Sequence, residues 1–149
     1  MPSDAAVAEL SQPDAAAFLA AHRFGRLAMV LADEPHIVPV NYAWRDGRGQ
    51  SGTLYIRSAP GNKLFTAAAH KRVAFEVDEV SKEGATSVIA YGHARIVSDS
   101  AEIAIVDELK LRPWVTTWKA EIIAIDLTEV SGRRFVFGPE TESAPTEPS

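Results

Sequence analysis

From Arg26 onward the chain runs in short apolar or alternating segments separated by turn residues, which is the pattern of extended strands. Residues 26–32 form the first run, and Asp33-Glu34-Pro35 turns the chain into the second, residues 36–44. In that second run Val38, Val40, Tyr42 and Trp44 share one face, while Ile37, Pro39, Asn41 and Ala43 share the other. Pro39 has no amide for a ladder, so this strand is expected at an edge or local irregularity where another backbone or a ligand can approach. Residues 53–58 and 72–78 are short β-branched or aromatic runs, the latter with Val73, Phe75 and Val77 to one side. Residues 86–97 contain Gly92, which suits a bulge or a bend where a sheet curls into a barrel. Residues 121–128 and 130–137 bring the predicted strands to about seven.

Three segments carry helical spacing instead. Ser11 followed by Asp14 resembles a capping box, and Ala15, Phe18, Leu19 and His22 then recur on one face, predicting a helix over 12–22. A second helix is predicted between Gly61 and His70. A third is predicted over about 100–110, opened by Asp99 with Glu102 three residues on and stopped by Pro113. Strands that do not alternate with helices argue for a mainly β barrel with helical additions rather than βαβ units. No internal repeat is present. Residues 139–149 hold three prolines and three glutamates and no large apolar side chain, so residues 1–138 are read as a single domain and 139–149 as a disordered acidic tail.

Composition narrows the chemistry. The chain has 149 residues, 46% apolar and 23% charged, enough for one core without disulfides or a structural metal. With no cysteine, cystine frameworks, thiolate zinc sites, iron–sulfur clusters and cysteine nucleophiles are excluded, and a cytoplasmic setting is expected. The longest apolar run, residues 15–21, is far short of the roughly 20 residues that cross a bilayer, so no membrane span or export signal is expected. Net charge is −5, and without Glu140, Glu142 and Glu147 of the tail the body is near −2. Nucleic-acid binding through phosphate neutralisation is therefore not expected.

Few local motifs survive inspection of their context. Gly47, Gly49 and Gly52 match the dinucleotide fingerprint, but the run Thr53-Leu54-Tyr55-Ile56-Arg57 that follows has strand character, so a hairpin loop is expected. His22, His36, His70 and His93 show no metal-ligand spacing, and no Gly-x-Ser-x-Gly elbow is present, so no metal and no serine hydrolase are expected. The segment from Tyr55 to Leu64 is more informative. It brings Arg57, Ser58 and Lys63 together across a Pro60-Gly61 turn into a helix, a set that suits a phosphate: a fork of donors, a hydroxyl, a mobile point charge and outward-facing helix amides. The alternative is a solvated loop carrying two ordinary surface cations. Trp44 is expected in the core and Trp118 as a barrel plug, while Trp114 is either a plug or a wall for a planar ligand.

An ordered set of blocks resembles the pyridoxamine 5′-phosphate oxidase-like flavin-binding split β-barrels in their short actinobacterial-type form. The blocks are Phe24-Gly25-Arg26-Leu27-Ala28, Pro35 through Tyr42, Ile56 through Leu64, Val73 through Asp78, Ser87-Val88 with Gly92-His93-Ala94, and Ser131-Gly132-Arg133-Arg134-Phe135. The resemblance implies a split barrel of about six to seven antiparallel strands with two to three short helices. It also implies a homodimer with flavin mononucleotide (FMN) in a groove between subunits. Arg57, Ser58 and Lys63 match the family's phosphate-binding positions. Pro39, Val40, Asn41 and Tyr42 match the strand beside the isoalloxazine, where backbone groups can bond its polar edge. Ser87 matches the start of a strand bordering the same groove, and Trp114 would stand near the ring, contributed by either chain.

The implied activity is flavin-mediated redox of a small molecule. No acid or base is required, although Tyr42 and His93 lie on strands that could approach the groove. The longer C-terminal region with an Arg-and-His motif, carried by the true pyridoxamine phosphate oxidases, has no counterpart after Gly132-Arg133-Arg134-Phe135, which argues against that substrate. The alternatives are an 8-hydroxy-5-deazaflavin coenzyme on the same fold, whose acidic tail would call on Lys71 and Arg72, and a non-enzymatic flavin or haem carrier or sensor.

Overall fold

The computed structural model describes residues 7–47, 51–109, 111 and 121–138. The chain enters through a short strand β1 (Val7–Glu9) and helix α1 (Gln12–Ala21), whose start is capped by Ser11 Oγ accepting from Asp14 N at 3.2 Å. Strands β2 (Phe24–Leu31), β3 (Glu34–Asn41), β4 (Ala43–Arg45) and β5 (Thr53–Ser58) follow, then helix α2 (Lys63–Ala68) and strands β6 (Arg72–Val80) and β7 (Gly84–Ile96). Helix α3 (Ser100–Glu108), capped by Asp99, precedes the last strand, β8 (Glu121–Val136). The architecture is mainly β, with all pairings antiparallel.

The strands pair in the order β3-β2-β6-β7-β8-β5-β4. Because β3 and β4 are consecutive stretches of backbone separated only by Tyr42, the two ends of this path belong to one strand and the sheet closes on itself. The predicted run 36–44 is thus split: its first part pairs with β2 and its last with β5. Tyr42 anchors the crossover. Its ring is fully buried and meets Phe75 edge-on, its hydroxyl donates to Leu19 O at 2.7 Å, and its amide donates to Arg23 O at 2.9 Å.

That amide bond also sets the phase of the ladder. Bonded positions on β3 are the even-numbered ones, so Pro39 lies where an amide would point away from β2 and it costs no ladder bond. Pro39 is at an edge, as expected, for a reason of register.

Two predicted strands, 121–128 and 130–137, are one strand with an interruption. Tyr91 pairs with Glu129 but Gly92 with Leu127, leaving Thr128 as the extra residue of a bulge, its hydroxyl donating to Tyr91 O at 3.2 Å. A Cβ at Gly92 would lie 2.3 Å from Asp126 O, which is why the residue facing the bulge has none. Strand β1 was not expected; its three residues are all exposed, so it carries no alternation to read.

Leu27, Tyr42, Leu54, Phe75, Val88 and Ile125 fill the barrel with Leu19 of α1. A second cluster, around Tyr55, Val106, Ile122 and Ala124, lies between the outer face of the barrel and α3. A polar lattice fastens this layer. Arg95 takes both carboxylate oxygens of Glu102 at 2.6 Å and Asp126 Oδ2 at 2.6 Å, and Tyr55 Oη donates to Glu102 at 2.7 Å. The guanidinium holds the Glu102 carboxyl below its ordinary value.

Candidate functional site

The corner between β5 and α2 has a local logic. Along β5 the side chains alternate, so Ile56 and Ser58 are buried while Arg57 between them points outward. The strand ends at Ser58, Gly61 turns the chain with a φ of +73°, and Asn62 caps α2 by accepting from Leu64 N at 3.0 Å and Phe65 N at 3.4 Å. Phe65 then pins the short helix into the barrel core.

Between this corner and the open edge of β3 lies a cleft of about 190 Å³. Residues 38–41 form one wall, and Ile56, Arg57, Asn62, Leu64 and Phe65 form the other. Arg57 is largely enclosed, its side chain 21% exposed. It donates from Nη2 to Asp107 Oδ1 of α3 at 2.7 Å. Its Nε is buried and has no partner among the described residues. A buried, unsatisfied donor costs on the order of 1–3 kcal/mol, and more on a charged group, so Arg57 holds a hydrogen-bonding capacity that the described residues do not use.

The structure therefore brings together Pro39, Val40, Asn41 and Arg57. Ser58 adjoins them but is buried, its Oγ directed to Ala59 O at 3.4 Å. Lys63 is exposed on the first turn of α2 and does not line the cleft. The expectation that the first amides of α2 face an anion is corrected at Leu64 and Phe65, because the Asn62 side chain already takes both. Tyr42 follows β3 but belongs to the core; burial pushes its phenol well above its ordinary value, and neither its hydroxyl nor its amide faces the cleft. Ser87 pairs with Asp78 and Arg133, whereas the β5 end of β8 that adjoins the cleft begins at Glu121, so Ser87 lies at the far end of the β7–β8 ribbon. Trp114 and Trp118 lie outside the described residues.

Of the other residues singled out, Trp44 packs half-buried against the barrel core. His93 is exposed and shares a separate open hollow of about 980 Å³ with Trp44, Asp126 and Gln12. The glycine-rich segment joins the antiparallel pair β4 and β5, with no helix after it, as expected of a hairpin loop. Among the described residues no group of three or more His, Asp or Glu side chains is gathered to hold a metal ion, and no helix is long and apolar enough to cross a membrane.

Two contributors were not read from the sequence. Asn62 is legible in retrospect as a helix cap before Lys63-Leu64-Phe65. Asp107 is not, because its partner Arg57 is 50 residues away and only the docking of α3 joins them.

The outer surface of β3, β2, β6 and β7 carries a second feature. Val30 and Ile37 are 62% and 68% exposed, and together with Ala28, Pro35, Ala74 and Tyr91 they make an apolar surface, hollowed by about 440 Å³, that no described helix covers. Beside it Arg26 bonds Glu76 at 3.0 Å and lies 3.5 Å from Asp78. Burial and the neighbouring Asp78 raise the Glu76 carboxyl above its ordinary value, with Arg26 opposing.

Comparison with known proteins places these features in context. The model of the pyridoxamine 5′-phosphate oxidase family matches residues 11–134. A crystal structure from Corynebacterium glutamicum, provisionally described as a pyridoxamine 5′-phosphate oxidase, superposes with a TM-score of 0.79 at 38% identity, covering 90% of this chain and 96% of that one. An FAD-binding protein from Mycobacterium smegmatis superposes with a TM-score of 0.77 at 34% identity, over 88% of this chain and 100% of that one. An uncharacterized protein of Mycobacterium tuberculosis is 33% identical over 137 residues, 91% of this chain and 90% of its own.

Proposed function

The chain belongs to the pyridoxamine 5′-phosphate oxidase family, and from that membership we propose that it is a homodimeric flavin-binding oxidoreductase acting on a small molecule. The observation that carries this reading is the Arg57 guanidinium, with its unpartnered Nε, set in a cleft whose opposite wall is the open edge of β3. An anionic group would meet a fork of donors on one side, and a planar polar edge would meet the backbone at Pro39 and Asn41, the positions that face away from β2, on the other.

In this reading Arg57, Ser58 and Lys63 hold the flavin phosphate, with Lys63 folding in from solvent. The β3 edge orients the ring, and Val40, Ile56 and Leu64 exclude water from it. When bound, the flavin supplies the redox centre, and the protein's part is to hold it with one face open. No residue of the chain is assigned as acid or base.

Cleft size supports a dimer. Small-molecule sites usually enclose roughly 300–1,000 Å³, one chain offers about 190 Å³ at this cleft, and in the proposed dimer a second copy completes the enclosure. The bare apolar surface around Ile37 and Val30, on the strand next to the cleft, is the proposed contact.

The proposed flavin is FMN. A second reading, FAD, is favoured by the FAD-binding Mycobacterium smegmatis relative. The deazaflavin alternative gains nothing within one chain, since Arg72 is committed to Tyr91 and Glu129 and lines the apolar hollow rather than the cleft.

Freshly purified protein should show the visible absorbance of oxidised flavin or acquire it on titration. Release by denaturation and chromatography would identify FMN, FAD or a deazaflavin. A colourless protein that takes up none of them ends the proposal. Light scattering should report a dimer, and Ile37→Asp should yield a folded monomer with weakened flavin uptake. Tight flavin binding by a monomeric wild type would refute the shared site.

A further inference from the structure

We infer that Asp107 is an internal competitor for the anion that Arg57 binds, so that the Arg57–Asp107 pair is a latched form of the cleft and the pair's strength sets its phosphate affinity. The inference rests on the flavin reading for the identity of the physiological ligand, but its own test uses phosphate.

Three observations carry it. The pair is short, 2.7 Å, and unequal: Arg57 is 21% exposed and Asp107 61%. Arg57 is thus held by the barrel wall, and Asp107 reaches it from the solvent side of α3. Arg57 makes this contact while its Nε, on the same guanidinium, is buried with no partner. A guanidinium satisfied on only one edge is not in its best arrangement, because its donors form a rigid fork matched to two oxygens of one anion. Lastly, the side chain lines a cleft beside Asn62, whose side-chain oxygen Oδ1 is already taken by the Leu64 and Phe65 amides. Among the described residues that line the cleft, Arg57 is the only charged one.

An anion that engages this guanidinium as a fork through Nη2 therefore competes with Asp107 for that nitrogen. The carboxylate opposes it twice, by holding Nη2 and by repelling a like charge. Asp107 is mostly exposed, so both effects are screened. Their combined size is about two- to fivefold in affinity, the upper part of the range for exposed pairs.

The test is titration of the full chain, labelled at arginine side-chain nitrogen, with inorganic phosphate at constant ionic strength, following the Arg57 Nε–H resonance assigned by its loss in Arg57→Lys. In wild type the signal should shift with phosphate and not with chloride. In Asp107→Asn, an isosteric change at an exposed site that should leave the melting temperature unchanged, half-saturation should fall by about two- to fivefold. Equal or weaker response in Asp107→Asn, an identical response to chloride, or no response of Arg57 in either protein overturns the inference. In parallel, FMN is titrated into both proteins. Phosphate response without FMN uptake would sink the flavin reading and leave the latch standing. FMN uptake that ignores the Asp107 substitution would do the reverse.

Discussion

Replacing Arg57 by alanine should separate cofactor affinity from stability. Among the described residues Arg57 has one side-chain bond, to a carboxylate that is 61% exposed, worth about 0.2–1 kcal/mol. Its buried Nε works against that, at a cost on the order of 1–3 kcal/mol. Removing the side chain deletes both, along with some packing of its stem on β5. The net change in stability should lie within about 1 kcal/mol, a shift of roughly 2–4 °C for a domain of this size.

Binding should respond very differently. Two charge-assisted bonds to a phosphate contribute about 1.5–3 kcal/mol each. Recovering the unsatisfied Nε adds to this, and losing Asp107 subtracts from it. A net loss of about 2–4 kcal/mol is expected in Arg57→Ala, equivalent to roughly 30- to 1,000-fold in Kd. Arg57→Lys keeps the charge without the fork and should fall between. The assay is fluorescence or absorbance titration of apoprotein with FMN and FAD, beside thermal unfolding of the same samples. A Kd within threefold of wild type, in an Arg57→Ala protein that binds flavin at full stoichiometry, would refute the assignment of Arg57 to the anion.

Three further outcomes are expected. Tyr42→Phe should cost about 1–2 kcal/mol in denaturant unfolding, since Leu19 O loses its buried donor, and should leave flavin affinity unchanged; a large affinity loss would return the phenol to the site. Gly92→Ala should destabilise by at least about 1–3 kcal/mol, because its Cβ would meet Asp126 O at 2.3 Å across the bulge; an unchanged melting temperature would show that the bulge relaxes freely. Glu102 is held below its ordinary value of 4.5 by Arg95, so its contribution is present above that pH and is lost as pH falls through its lowered folded-state value. Glu102→Gln should therefore cost about 1–3 kcal/mol near neutral pH, and the gap from wild type should close below pH 4.5; a pH-independent gap would contradict the ion-pair origin.

Period-two alternation and turn residues were enough to read most strands, the three helices and the mainly β class, because each of these signals is local: a buried face, a capping side chain or a turn glycine acts within a few residues. Arg57 as a strand-end cation just before the Pro60-Gly61 turn was legible for the same reason. So was the edge position of Pro39.

Register and closure were decided elsewhere. Whether residues 36–44 are one strand or two depends on which neighbours each half finds, and Tyr42 makes that choice by burying its ring and bonding Leu19. Residues 121–136 remain one strand because the bulge at Thr128 absorbs the irregularity opposite Gly92. Lys63 left in solvent, Tyr42 drawn into the core, Ser87 set at the far end of its ribbon and Asp107 brought onto Arg57 all follow from long-range packing. By itself, then, the sequence determined the elements, their faces and a cationic corner between β5 and α2. Only the tertiary structure decided which of those cations lines a cleft and which carboxylate opposes it, since contacts between residues 50 apart arise from the docking of whole elements and leave no periodic trace in either segment.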